Sequence, residues 1–245
     1  MKYHIGTSGY IYKHWWGVFY PERFREREAL EYYSRHFHTV EINNSFYNLP
    51  AATTFHGWHK RTPQGFIFAV KASRYITHMK KLKDPGKSTR TFLERVGSLG
   101  EKLGPLLFQL PPRWNANIER LTEFLHYLRQ NASQELRIVF EFRNNSWINE
   151  ELFDILSRYR AGFCIHDMHG IRCPDVATAD FVYYRFHGPS KAPYDGRYST
   201  LQIKEAARRV KDHIAAGREV YAYFNNDIGG YAVENARMLI KELNR

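Results

Sequence analysis

Eight times along this chain a short run of alternating residues ends in polar side chains and is followed by a turn. In most cases a stretch with the apolar spacing of an amphipathic helix comes next. The alternating runs are Tyr3–Thr7, Thr39–Asn43, Phe66–Ala72, Leu106–Leu110, Arg137–Arg143, Gly162–Asp167, Phe181–His187 and Glu219–Asn225. Helical spacing occurs over Glu28–His36, Ala51–Arg61, Ser88–Lys102, Ile118–Gln130, Glu150–Tyr159, Thr200–Ala216 and Ala232–Leu243. Strands that alternate with helices predict a parallel sheet, because parallel neighbours need a crossover connection. Eight such units within 245 residues match a closed (β/α)8 barrel, a TIM-barrel-like fold of about 250 residues. An open doubly wound sheet would usually have fewer strands and a glycine-rich dinucleotide loop, and this chain has neither feature. No Gly/Ser/Pro linker interrupts the pattern, so the expectation is one domain over residues 1–245. The connection after the sixth strand, Met168–Asp180, carries no helical spacing, and the barrel is expected to be irregular there.

Composition narrows the class of protein. Hydrophobic residues make up 43% and charged residues 25%, enough for a sizeable core and too apolar for a disordered chain. Cys164 and Cys173 are the two cysteines, too few for a disulfide framework or a four-cysteine zinc site. The N-terminal residues lack an apolar signal segment, and no apolar run approaches membrane-spanning length. A soluble, cytoplasmic protein is expected. The formal net charge of +11 suits nucleic acid or acidic small molecules.

Side chains two apart on a strand share a face. One face is apolar throughout, as in Phe66, Phe68 and Val70 or Ile138, Phe140 and Phe142, and should pack against the helices. The other ends, strand by strand, in Glu41 and Asn43, Lys71, Gln109, Glu141 and Arg143, His166, Arg185 and His187, and Asn225. A single polar residue at a strand end is ordinarily just solvated. Seven strands placing polar inward residues at one level predict a shared site at the C-terminal mouth, where such barrels carry their chemistry.

The first loop, Gly6-Thr7-Ser8-Gly9, can be read as a tight turn or as a cradle of N–H groups for an anion. The aromatic stretch Tyr10–Tyr20 and Trp147 are expected mainly to form satellite core, the alternative being a stacking platform. Taken together, Gly6-Thr7-Ser8-Gly9, Phe19-Tyr20-Pro21, Val40–Tyr47, Val70-Lys71-Ala72-Ser73 with Ile76-Thr77-His78, Phe108–Pro112, Glu141-Phe142-Arg143 with Ser146-Trp147, Arg185–Gly188 and Tyr223–Asp227 resemble the YecE-like family, a widespread domain of unknown function. The resemblance spans nearly the whole chain. It implies a TIM-barrel-like fold, with the mouth residues above as a shared set, and implies no reaction.

The chemistry is therefore read from the residues. Glu41 and Glu141 can act as a catalytic pair, as in glycoside hydrolysis, or as partners in a buried ion network. Glu41, Glu141, His166 and His187 are conceivable ligands for a divalent metal. No metal-binding spacing supports that reading, and the nearby cations oppose it. Lys71, Arg143, Arg185 and His187 fit an anion better. The loop Asn226–Gly230 opens the last helix, so its free N–H groups and the helix dipole can face an anion, the alternative being that Asp227 caps the helix instead. The leading expectation is an enzyme, foremost a hydrolase of phosphodiester or related bonds, acting on a phosphate-bearing or other anionic substrate such as nucleotide or nucleic acid. Glu41, Glu141 and His187 would be catalytic, and Asn43, Lys71, Gln109, Arg143, His166, Arg185 and Asn225 would bind substrate. The alternatives are a non-enzymatic module for nucleic acid or anions and a glycosidase-like hydrolase using Glu41 and Glu141. No cofactor is indicated. On the leading expectation the empty mouth holds excess positive charge, so losing Arg185 should cost little stability.

Overall fold

The computed structural model describes residues 2–245 other than Gln134, Lys191 and Pro193. The eight expected strands form, as β1 (Tyr3–Thr7), β2 (Thr39–Ile42), β3 (Ile67–Lys71), β4 (Leu103–Gln109), β5 (Ile138–Glu141), β6 (Gly162–His166), β7 (Phe181–Phe186) and β8 (Glu219–Phe224). Every pairing is parallel. The sheet runs β1-β8-β7-β6-β5-β4-β3-β2, a (β/α)8 barrel closed except for the seam between its first two strands. The helices are α1 (Ala29–Ser34), α2 (Asn44–Tyr47), α3 (Ala52–Lys60), α4 (Gly86–Val96), α5 (Ile118–Asn131), α6 (Glu150–Arg158), α7 (Thr200–Ala215) and α8 (Tyr231–Leu243). The 167–180 segment between β6 and β7 contains no helix, as its lack of periodicity predicts. The short α2 escapes a periodicity reading because four residues make barely one turn. Among the described residues no helix is long and apolar enough to cross a membrane.

Local chemistry explains where the helices start. The Asn149 side chain accepts the Leu152 N–H at 2.9 Å, and Ser199 with Gln202 forms a reciprocal capping box on α7, satisfying donors that a first turn leaves open. The longer helices then bury an apolar stripe on the sheet, as α6 does with Leu152, Ile155 and Leu156. Two separate apolar clusters result. The larger lies between strands and helices and contains the apolar strand face. The smaller fills the lower lumen with Ala69, Leu107, Val139, Cys164, Phe181, Tyr183, Tyr221 and Tyr223. The lumen is thus plugged in its middle, with the mouth residues above it and an ionic cluster of His4, Arg137 and Glu219 below.

The β1–β2 seam is closed by other means than a ladder. A bridge joins Ser8 to Glu41. Below it, the Tyr33 hydroxyl accepts the Thr7 N–H at 3.0 Å and donates to the Thr39 carbonyl at 3.1 Å. This hydroxyl from α1 joins the two strands where they do not bond directly. The strands approach so closely that a Cβ on Gly6 would lie 2.3 Å from the Thr39 carbonyl oxygen.

Candidate active site at the barrel mouth

Strand alternation turns Glu41, Lys71, Gln109, Glu141, His166 and Arg185 inward at the top of the lumen, with Asn43, Arg143, His187 and Asn225 just beyond the strand ends. Adjacent strands hold Gln109 level with Glu141 and His166 level with Arg185. The centre of the set is Arg185, 1% exposed. Its Nε and Nη2 donate to Glu41 at 3.0 and 2.8 Å, and its Nη1 donates to Glu141 Oε2 at 2.6 Å. One guanidinium therefore spans both carboxylates. Glu41 also accepts from Ser8 Oγ at 2.7 Å, Asn43 Nδ2 at 2.9 Å and the Tyr183 hydroxyl at 2.6 Å. Five donors on two oxygens leave it no free lone pair for chemistry.

Glu141 continues the network outward. Its Oε1 accepts from Arg143 Nε and lies 3.6 Å from His187 Nε2. Arg143 Nη2 also reaches His187 Nε2 at 3.2 Å. A guanidinium only donates, so that nitrogen accepts and Nδ1 keeps the imidazole proton. The Asn225 amide nitrogen lies 3.2 Å from Nδ1; with the amide turned over, its oxygen would accept this proton. His166 lies 5.8 Å from His187, ring to ring. Both His166 nitrogens are engaged, Nε2 with the Phe142 carbonyl at 2.9 Å and Nδ1 with the Met168 N–H at 3.3 Å. The Gln109 amide nitrogen turns away, to the Leu110 carbonyl at 3.1 Å. Among the described residues no cluster of three or more His, Cys, Asp or Glu is placed to hold a metal ion.

These contacts set the charges. Burial would raise the Glu41 carboxyl, but Arg185 together with the hydroxyls of Tyr183 and Ser8 holds it below the ordinary range. For Glu141 burial is likewise opposed, here by Arg143 and Arg185, and the carboxyl lies well below that range. Burial pushes His187 down to about 3, with Arg185 and Arg143 adding to the effect, so the ring is neutral. Two guanidiniums thus meet two carboxylates, and the expectation of excess positive charge carried by Arg143 and Arg185 is corrected. Lys71 differs. Its Nζ rests over the Phe46 ring, 4.2 Å from the centroid, and no hydrogen bond or ion pair from it is found among the described residues. Burial first, then Arg185, lowers its amine to about 7.

A family model described as a protein of unknown function, DUF72, matches residues 4–245. The chain belongs to the DUF72 family. UPF0759 protein YunF of Bacillus subtilis is 28% identical over 276 residues, covering 98% of this chain and 94% of that protein. UPF0759 protein YecE of Escherichia coli K12 is 34% identical over 83 residues, 34% of this chain and 30% of that protein. The crystal structure of a DUF72 protein from Thermotoga maritima matches with a TM-score of 0.88 at 29% identity over 100% of both chains. One from Enterococcus faecalis matches at 0.85 and 23%, over 99% of this chain and 96% of that one. The YecE-like resemblance and the barrel fold both hold.

Several sequence readings resolve within this DUF72 barrel. The Gly6–Gly9 loop cradles no anion, because the N–H groups of Ser8 and Gly9 bond the carbonyls of Phe224 and Glu41, both at 2.8 Å. Asp227 does not cap α8. Its carbonyl instead receives Trp15 Nε1 at 3.2 Å and contacts His14 Nε2 at 2.6 Å, pinning the aromatic loop to the barrel. Trp15, Phe19, Tyr20 and Trp147 are buried, so the loop is satellite core. Sequence reasoning passed over Ser8, Tyr183 and Phe46 as site residues. Tyr183 was legible from the inward phase of β7. Phe46 was not, since it reaches Lys71 from α2.

Proposed function

We propose that this protein is an enzyme whose barrel mouth takes a small phosphate- or carboxylate-bearing substrate, with Lys71 as the group that meets it. The observation that carries this reading is the internal pairing of the buried ions. Glu41, Glu141, Arg143 and Arg185 answer one another, which leaves Lys71 as the mouth cation without a carboxylate or hydrogen-bond partner among the described residues. Acid–base work is most efficient near the working pH, and Lys71 at about 7 meets that condition where His187 at about 3 does not. The carboxylates and Arg185 then act as the rigid frame. The outer edge of Arg143 and the unpartnered Oδ1 of Asn43 supply contacts for a substrate. A glycosidase needs one carboxyl held protonated by a raised pKa. Both carboxyls here are lowered, which favours an anionic substrate over a neutral sugar.

The test is thermal unfolding with inorganic phosphate, sulfate or acetate, on the parent and on Lys71→Met. A ligand at a hundredfold excess over its Kd stabilises by about 2.7 kcal/mol, equivalent to a rise of about 5–11 °C in a domain this size. Lys71→Met is expected to abolish that rise while leaving the unliganded Tm equal or higher, because it removes a half-buried charge that no carboxylate answers. No anion effect in the parent, or an equal effect in both proteins, overturns the reading.

A second reading extends the substrate to nucleic acid. Arg74, Lys81 and Lys83 in the segment after β3 and Lys87 and Arg90 on α4 are exposed, and Tyr75 and Met79 of that segment are 44% and 66% exposed. Cations beside an exposed aromatic face suit a single strand.

A further inference from the structure

Lys71 has the surroundings of a reactive amine rather than of a structural cation. It stands at the C-terminal end of β3, on the inward face, and is half-buried. One side of its Nζ is covered by the Phe46 ring at 4.2 Å, which removes water without supplying a hydrogen bond. That ring is itself braced by His78, with centroids 4.9 Å apart. The charged groups facing Lys71 are Arg185 on β7, Glu141 and Arg143 at the end of β5, and Glu41 on β2. His78, in the segment after β3, is lowered to about 4 by burial and then by Lys71, so it approaches as a neutral ring. Arg185 bonds Glu41 and Glu141, and Arg143 bonds Glu141. Neither carboxylate is therefore available to fix Lys71 as an ammonium ion. A lysine amine desolvated beside another cation is the established way to make this side chain nucleophilic.

We propose that Lys71 forms an imine with the carbonyl carbon of a phosphate- or carboxylate-bearing aldehyde or ketone. The amine lone pair forms the new C–N bond, and the carbonyl C–O bond breaks. The oxygen leaves as water carrying the two amine protons, so the step needs no oxidant or reductant. Protonated from solvent, the imine carries a cation at the Nζ position, where the Phe46 face stabilises it. The anionic group of the substrate rests on the function proposed above. The imine rests only on Lys71 and its surroundings.

The experiment incubates the whole protein with glyceraldehyde 3-phosphate, pyruvate or uncharged glyceraldehyde in the presence of cyanoborohydride, which reduces an imine to a stable amine. Adducts are then mapped by peptide mass spectrometry. At pH 7.5 an ordinary lysine, with a pKa near 10.4, has only about one amine in a thousand neutral. Lys71 should therefore be labelled at least about tenfold faster than any other lysine, even after allowing for the weaker nucleophilicity of a less basic amine. Its labelling should be half-maximal near pH 7, and Lys71→Arg should remove that adduct alone. Adducts spread over surface lysines without enrichment at Lys71, or labelling at Lys71 that rises only above pH 9, overturn the imine. The parent's adduct map decides this even if the variant folds poorly. Equal labelling by glyceraldehyde and its phosphate supports the imine while telling against an anionic substrate. Stabilisation by phosphate without any adduct does the reverse.

Discussion

Arg185 and Lys71 are both inward-facing cations at the ends of their strands, and their surroundings give them opposite characters. Arg185 is held by three donated hydrogen bonds to two buried carboxylates, whereas Lys71 touches an aromatic face. Removing one partner of a buried ion network strands the others without water or countercharge. Arg185→Met should therefore cost about 3–5 kcal/mol, lowering Tm by about 2–4 °C for each kcal/mol in a domain of this size. Differential scanning calorimetry checks it, and a Tm within about 2 °C of the parent would mean that the network contributes no net stability. This reverses the expectation drawn from the sequence, that Arg185 could be lost at little cost. The reversal follows from counting the carboxylates that bond it.

Among the elements, the β1–β2 seam is where the barrel departs from a uniform ladder. A hydroxyl from α1 supplies the link, so the seam depends on one side chain and on the absence of another. Tyr33→Phe removes the bridge and leaves the Thr7 N–H and Thr39 carbonyl without it. Each buried group so stranded costs about 1–3 kcal/mol. Gly6→Ala places a methyl carbon against the Thr39 carbonyl oxygen, and overpacking of this kind costs about 1–3 kcal/mol. Urea titration should show a lower midpoint for both variants with little change in slope. Hydrogen exchange at Thr7 should accelerate in Tyr33→Phe more than at strands remote from the seam. Unchanged protection at Thr7 would show that the hydroxyl is not what closes the barrel.

For the whole molecule, the charge of +11 is unevenly distributed in effect. On α7, Arg208 is matched by Glu205 and Asp212, which makes that face an ordinary solvated one. After β3, Lys80 pairs with Asp84 at 3.6 Å, while Lys81 and Lys83 are exposed beside Tyr75 and Met79. If this surface takes a single strand, Lys80→Glu, Lys81→Glu and Lys83→Glu together should weaken binding of a fluorescent oligonucleotide several-fold at moderate salt. The slope of log affinity against log salt should fall by about 2, at about 0.7 per phosphate contact for single strands. Anisotropy at two salt concentrations measures both. A parent protein with no salt-sensitive binding leaves the small anion as the substrate class.

The sequence by itself determined the eight strands, their parallel order and the level at which their polar residues meet. These follow from a two-residue period within each strand and from the helical period between strands, which are local properties of the backbone and do not depend on what lies opposite. It also placed Trp15, Tyr20 and Trp147 in the core, because large aromatic groups in long loops need cover. The roles of the mouth residues were decided by tertiary structure alone. Whether Glu41 is a base or an anchor depends on donors from Ser8, Asn43, Tyr183 and Arg185, and three of these lie on other strands or loops. Lys71 likewise reads as one more cation in a basic segment until Phe46 is seen against it and both carboxylates are seen bonded elsewhere. Charge and reactivity at a site depend on which neighbours the fold brings within a few ångströms, and strand periodicity carries no information about distances across the barrel.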